Sequence, residues 1–273
     1  MTSPECMSNS DRATDYDTVA DGYDCRYALH AYAGMERQLA RFVDGARPGG
    51  VLEIGCGTGH WLALLAAGAP RIAGIDPSAR MLARAKAAAP SAVVIRAAAE
   101  RLPWRDAAFD RVICINAAHH FGDRRRAIAE SGRVLRPGGG VLIAGREPPS
   151  DEERWWVYEY FEETRAIDRA RYATAEALRR EMTEAGLVRC ETFEMDRIDA
   201  ASPAAGALAS GVVDRRYTSQ LSALSDESFA RGVERIRAAA AAARARSEEL
   251  MLHAHIRYEA TVGWRPGPPG VTP

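Results

Sequence analysis

The chain has 273 residues, 47% of them hydrophobic, and a formal net charge of −1. That length can bury a full core as one domain with embellishments, while the near-zero charge offers no basic footprint for nucleic acid or an anionic membrane. No run approaches the ~20 apolar residues of a membrane span, and no basic-then-apolar leader opens the chain.

Two residue counts narrow the chemistry. Lys86 is the single lysine, which excludes a Walker lysine behind a glycine loop and a Tyr-x-x-x-Lys dehydrogenase pair. The five cysteines are scattered without a Cys-x-x-Cys, so neither a disulfide framework nor a zinc site is expected, and the cytoplasm is the expected location.

In chain order, residues 1–11 are polar and read as a disordered start. A helix is expected over 14–27 and a second over 32–45, where Met35, Leu39, Phe42 and Val43 recur at helical spacing. Short apolar runs at 50–55, 71–75, 92–96, 110–115 and 140–145 read as strands covered on both faces. Helices fit at 58–68, 78–89 and 123–134, and the alternation predicts a doubly wound parallel sheet. Residues 147–173, opening on Pro148-Pro149, read as an aromatic helical insertion, followed by a helix at 174–186 and a strand at 188–195. A second, alanine-rich helical insertion occupies 200–249. The last strand, 250–262, alternates cleanly, with Leu250, Leu252, Ala254, Ile256, Tyr258, Ala260 and Val262 on one side. One domain over 12–265 is therefore expected, with N-terminal helices over 12–46 and a loose Pro/Gly-rich tail over 266–273. Chain leaving strands five and six emerges at the ligand edge of such a sheet, so both insertions are expected to roof the site.

The stretch Val51-Leu-Glu-Ile-Gly-Cys-Gly-Thr-Gly59 carries the most chemistry. Its alternate glycines let the backbone turn sharply and approach a ligand, and the first N–H groups of a helix beginning at Thr58 face the same space. Asp76 stands at the tip of the next strand, where a ribose-binding acid belongs. Gly55, Gly57 and Gly59 read Gly-x-Gly-x-Gly, with His60 where the third glycine of a pyrophosphate-binding turn falls. Glu53 places a carboxylate at the mouth, repelling an anion and favouring a ligand with a free ammonium group.

The loop, Glu53 and Asp76 resemble the class I S-adenosylmethionine-dependent methyltransferases, of the small-molecule type found in ubiquinone and menaquinone biosynthesis. Glu100-Arg-Leu-Pro-Trp104, Ala108-Phe-Asp-Arg-Val-Ile-Cys-Ile-Asn116 and Val134-Leu-Arg-Pro-Gly-Gly139 stand in that family's order, and the resemblance covers residues 14–145. It implies S-adenosyl-L-methionine as cofactor. It also implies an α/β, Rossmann-like seven-stranded sheet in the order 3-2-1-4-5-7-6, the last strand antiparallel, with helical lid insertions.

The resemblance assigns roles residue by residue. Asp76, followed by Pro77, takes the ribose hydroxyls, the loop with Cys56 takes the methionine half, and Met81 packs against the adenine or into the core. Ala98 stands where the family often has an aspartate for the adenine amino group, leaving the backbone around Ala99 and Glu100 to serve. Tyr16-Asp-Thr-Val-Ala-Asp-Gly-Tyr-Asp24 resembles the family's opening, in which tyrosines such as Tyr16 and Tyr23 cover the sulfonium. Arg26 is placed to pair with the cofactor carboxylate. Asn116 belongs to the cofactor site. His119 and His120 resemble a His-His pair that touches the methionine moiety or takes a proton from an acceptor hydroxyl, or else packs to position its loop. Tyr23 joins them as a catalytic candidate.

Trp155, Trp156, Tyr160 and Arg215, from the two insertions, are the expected substrate-binding residues, with a core role as the alternative for the aromatic ones. His253 and His255 share a strand face but have no third ligand nearby, so no metal is expected.

The expected function is methyl transfer to an O, N or C atom of a small molecule, in secondary-metabolite or quinone-type biosynthesis. A second copy of the chain is a candidate partner. Nucleic acid is not expected as substrate, since the resemblance implies an Asn-Pro-Pro-Tyr for many members that act on it and Asn116 is not followed by Pro-Pro-Tyr. Two alternatives stay open: a non-methylating S-adenosylmethionine-binding cyclase or regulator, and a nicotinamide-dependent oxidoreductase, which the glycine spacing and Glu53 oppose.

Overall fold

The computed structural model of the chain describes residues 17, 24, 27, 30, 32–44, 50–69 and 71–268. The expected disordered start, most of the 14–27 helix and the end of the tail lie outside the described residues. In chain order the elements are α1 (Ala33–Asp44), β1 (Val51–Ile54), α2 (His60–Ala66), β2 (Ile72–Asp76), α3 (Ala79–Ala88), β3 (Val93–Arg96) and β4 (Phe109–Ile115). A 3-10 turn (Ala118–His120) leads to α4 (Arg124–Val134) and β5 (Leu135–Gly145). Then come α5 (Trp156–Tyr160), α6 (Glu163–Arg171), α7 (Ala175–Glu184), β6 (Val188–Pro203), α8 (Ala204–Ala209), α9 (Ser219–Ser222), α10 (Asp226–Ala245) and β7 (Met251–Trp264).

The seven strands form one sheet in the order β3-β2-β1-β4-β5-β7-β6, as the resemblance implies. β1 to β5 pair in parallel, and β7 runs antiparallel to both β5 and β6. β1 and β2 are buried along their whole length, and β4 and β5 over most of theirs. This is the expected consequence of helices packing on both faces.

Alternation along each strand sorts the core into two layers. Leu52, Ile54, Val112 and Cys114 face one cluster, while Val51, Ile113 and Ile115 face the other. Each fully buried Leu or Ile contributes about 1.5–3 kcal/mol of transfer free energy. On β7 the inward set Leu252, Ala254, Ile256, Tyr258, Ala260 and Val262 is buried throughout.

Several boundaries differ from expectation: β5 begins at Leu135 and not at 140, and the helix expected from 58 begins at His60. β6 continues to Pro203, because its pairing with β7 persists to Pro203↔Met251, so the second insertion begins at Ala204. The first insertion is irregular up to Trp155, which bridges to Ala254, and becomes helical only at Trp156. No helix among the described residues is long and apolar enough to cross a membrane.

Candidate active site

Two close approaches build the turn after β1. Gly55 and Gly59 take left-handed φ values of 73° and 84°. A Cβ on Gly55 would lie 2.4 Å from the Ala117 Cβ, and one on Gly59 2.7 Å from the Ala85 Cα. Any side chain there would force the loop away from the β4 turn, or α2 away from α3. The Gly55 and Cys56 N–H groups donate to the Ile75 carbonyl at 2.8 and 2.9 Å, tying the tip of β1 to that of β2. Asp76 then accepts from the Gly57 N–H through Oδ2 and from the Ser78 N–H through Oδ1, both at 2.9 Å. Each carboxylate oxygen retains further acceptor capacity, so a ligand diol can share them.

These pieces wall a cavity of about 260 Å³ at the carboxyl edge of the sheet. Gly55, Gly57, Asp76, Pro77 and Met81 line one part, and Ala99, Glu100, Asn116 and His120 another. Ala97, Ala98 and Phe121 complete an apolar wall on the β3 side. Cys56 and Gly59 shape the loop without lining the cavity, and the Cys56 side chain packs toward Gly74. Cys56, Cys114 and Cys190 are free thiols.

Glu53 does not stand at the mouth. Strand alternation turns it beneath the loop, where it is 1% exposed and its Oε2 has no hydrogen-bond partner. Burial, reinforced by nearby Asp76, pushes its carboxyl well above the usual range. Burial also raises Asp76, against the two N–H bonds that lower it. A buried carboxyl oxygen with no partner is costly unless an added donor or cation meets it. The site thus fits a ligand with a diol for Asp76 and an ammonium group on the Glu53 side, as S-adenosylmethionine has.

Tyr16, Tyr23 and Arg26 lie outside the described residues. Described neighbours from the same segment meet the glycine loop. Asp24 accepts from the Thr58 hydroxyl at 2.5 Å and from Arg84 at 3.0 Å. Asp17 accepts from the Ser78 hydroxyl and, at 3.2 Å, from the Arg80 N–H. Tyr27 stacks on His60 with ring centroids 3.6 Å apart.

Asn116, held at φ 52°, lines both the first cavity and a second one of about 70 Å³. A left-handed Asn at a strand end is tolerated through its short amide and is frequent at functional turns. His119 lines the second cavity and His120 the first, their rings 3.9 Å apart, so the pair divides between the two spaces. Trp155 also lines the second cavity.

Trp156, Tyr160 and Arg215 line neither space. Trp156 packs on the rings of Phe161 and Tyr217, and Tyr160 is buried. The Arg215 guanidinium turns to Asp226 and the Leu224 carbonyl, which need a cation where α9 meets α10. His255 Nδ1 lies 2.9 Å from the Asp199 carboxylate, to which its N–H donates, and no cluster of three metal-binding side chains exists among the described residues.

Sequence reasoning missed Arg146, Tyr172 and Gln220, which line the second cavity, and Asp168 behind them. Asp168 is fully buried and joins the two insertions. It accepts from Tyr158 Oη at 2.6 Å, Arg171 Nε at 2.8 Å and Gln220 Nε2 at 2.9 Å. The one local signal was a charged residue, Arg146, directly at the carboxyl end of an apolar strand.

A parallel sheet closed by an antiparallel seventh strand, with an acid beneath a glycine turn and another at the next strand tip, defines the class I S-adenosylmethionine-dependent methyltransferase architecture. Residues 52–143 match the methyltransferase domain family. It is 30% identical over 141 residues to a demethylmenaquinone methyltransferase of Thermotoga maritima, a match covering 50% of this chain and 61% of that one. An uncharacterized methyltransferase, YcgJ of Bacillus subtilis, is 35% identical over 106 residues, covering 37% of this chain and 42% of that protein. The chain thus spans at most about three fifths of the length of these curated relatives. The crystal structure of the Bacillus YcgJ protein superposes with a TM-score of 0.56 at 20% identity, over 85% of this chain and 98% of that one, a likeness of fold.

Proposed function

We propose that this protein transfers the methyl group of S-adenosyl-L-methionine to a small molecule held in the second cavity. The observation that carries the reading is the junction at Asn116, where a cavity suited to a nucleoside with an ammonium tail meets a second cavity. A protein that only stored the cofactor has no use for the second space. The cofactor supplies an electrophilic methyl group on a sulfonium with a neutral leaving group.

The residues of this chain then have mainly to bind, orient and exclude water. Asp76 holds the ribose, Glu53 attracts the ammonium group, and the β3-side wall from Ala97 to Ala99 takes the adenine. Tyr16, Tyr23 and Arg26 are carried forward as the cover over the methionine half. His119, on the acceptor side, is the residue placed to take a proton where the acceptor has one to lose, and His120 faces the cofactor. Trp155 shapes the acceptor site.

The acceptor is a small molecule and not nucleic acid, in keeping with the net charge of −1. Quinone-type or secondary-metabolite biosynthesis in the cytoplasm is the setting we carry forward, supported by the name of the Thermotoga relative. Incubating the pure protein with methyl-labelled S-adenosylmethionine and a metabolite extract tests the activity. A product heavier by one labelled methyl group is expected with wild type and absent with Asp76→Ala; label that stays wholly on the cofactor, whatever the extract, contradicts transfer.

A further inference from the structure

The two cavities differ in electrical character, and this separates classes of acceptor. Glu53 lies beneath the first, and Asp76 and Glu100 line it. The described residues lining the second include no carboxylate, and their one permanently charged side chain is Arg146. Burial holds His30, on the same wall, below its usual range and therefore neutral at pH 7.

Arg146 follows the last residue of β5 and is 8% exposed. Its guanidinium carbon lies 4.4 Å from the Trp155 ring centroid, 5.2 Å from that of Tyr158 and 5.9 Å from that of Tyr172. Such a box fixes the planar group in one orientation. The balancing carboxylates do not line the cavity. Glu153 accepts from Nη2, and Asp168 is 3.9 Å from Nη1, too long for a hydrogen bond. Asp168 is already closed in by Arg171, Tyr158 and Gln220. The guanidinium's other N–H donors are thus available to a ligand on the cavity side.

Resting on the reading above, we propose that the acceptor is an organic anion, planar enough to lie among the rings, with its negative group held by Arg146 and its reacting atom turned toward Asn116. An amine acceptor would meet the guanidinium without a carboxylate on the described wall to receive its ammonium. A bidentate anion instead gains charge-assisted hydrogen bonds from a preoriented donor.

Ring-matched pairs of opposite charge test this: benzoate against benzylamine, and 4-hydroxyphenylacetate against tyramine. Each is titrated by NMR into protein saturated with S-adenosylhomocysteine. The acid of each pair should bind at least about tenfold more tightly, the low end for hydrogen bonds to a charged group. Arg146→Gln should bring each pair within about threefold of equality, and Arg146→Lys, which keeps the charge, should retain the preference for the acid. S-adenosylhomocysteine affinity serves as the folding control for both variants. An amine that binds as well as its matched acid, a preference that survives in Arg146→Gln, or acids that fail to bind the wild type overturns the proposal. Failure of S-adenosylhomocysteine to bind the wild type overturns instead the function on which it rests.

Discussion

At the scale of single residues, Glu53 sets stability against binding. Its folded-state pKa lies above the unfolded value, so the native protein holds a proton that the unfolded chain releases. The stability this contributes is complete below the ordinary carboxylate range and is lost as pH rises through the raised folded value. Glu53→Gln keeps the shape and removes the group that ionises. It should therefore stabilise the ligand-free protein by about 1–3 kcal/mol at pH 8, with a smaller effect at pH 5, and weaken S-adenosylmethionine by a similar amount. Urea melts at the two pH values check the first statement: a wild-type-to-variant difference that does not grow with pH removes Glu53 from this role. The residues of the first cavity were legible because local chain geometry makes them: the glycines force the turn, and Asp76 ends a strand beside it. Arg146 was not, because the sequence shows an aromatic stretch downstream of it but not that Trp155, Tyr158 and Tyr172 fold back around its guanidinium.

At the scale of elements, the two insertions act as one body through Asp168. Its carboxylate sits between Tyr158 and Arg171 of the first and Gln220 of the second, and Tyr172 also accepts from Gln220 at 3.0 Å. Asp168→Ala leaves Arg171 and Tyr158 without their buried partner and should cost about 3–5 kcal/mol. We expect it to raise hydrogen exchange in both α6 and α9, and loosening confined to one of them would contradict the coupling. At 3.4 Å the His30–Tyr217 contact crosses from the N-terminal segment to the second insertion on the wall of the second cavity. The sequence pattern shows that the insertions exist and on which edge they emerge. It does not show that β6 extends to Pro203, since those eight further residues carry no apolar alternation and are held by main-chain pairing with β7.

At the scale of the molecule, the architecture sets a cavity lined by Asp76 and Glu100 beside one lined by Arg146, and the two meet at a single strand end, Asn116. The strand order was legible because apolar runs alternating with helices admit few topologies, and the ordered motifs resemble one of them. The second cavity is walled partly by the insertions, through Trp155, Tyr172 and Gln220, whose sequence has no comparable constraint. The central claim is that the glycine-loop cavity holds the cofactor, and calorimetric titration of S-adenosylhomocysteine into wild type and Asp76→Ala tests it most directly. Wild type should bind one equivalent, and the variant should lose about 1.5–3 kcal/mol while keeping its native circular dichroism. Equal affinity in the two proteins, or no binding by either, would contradict the account.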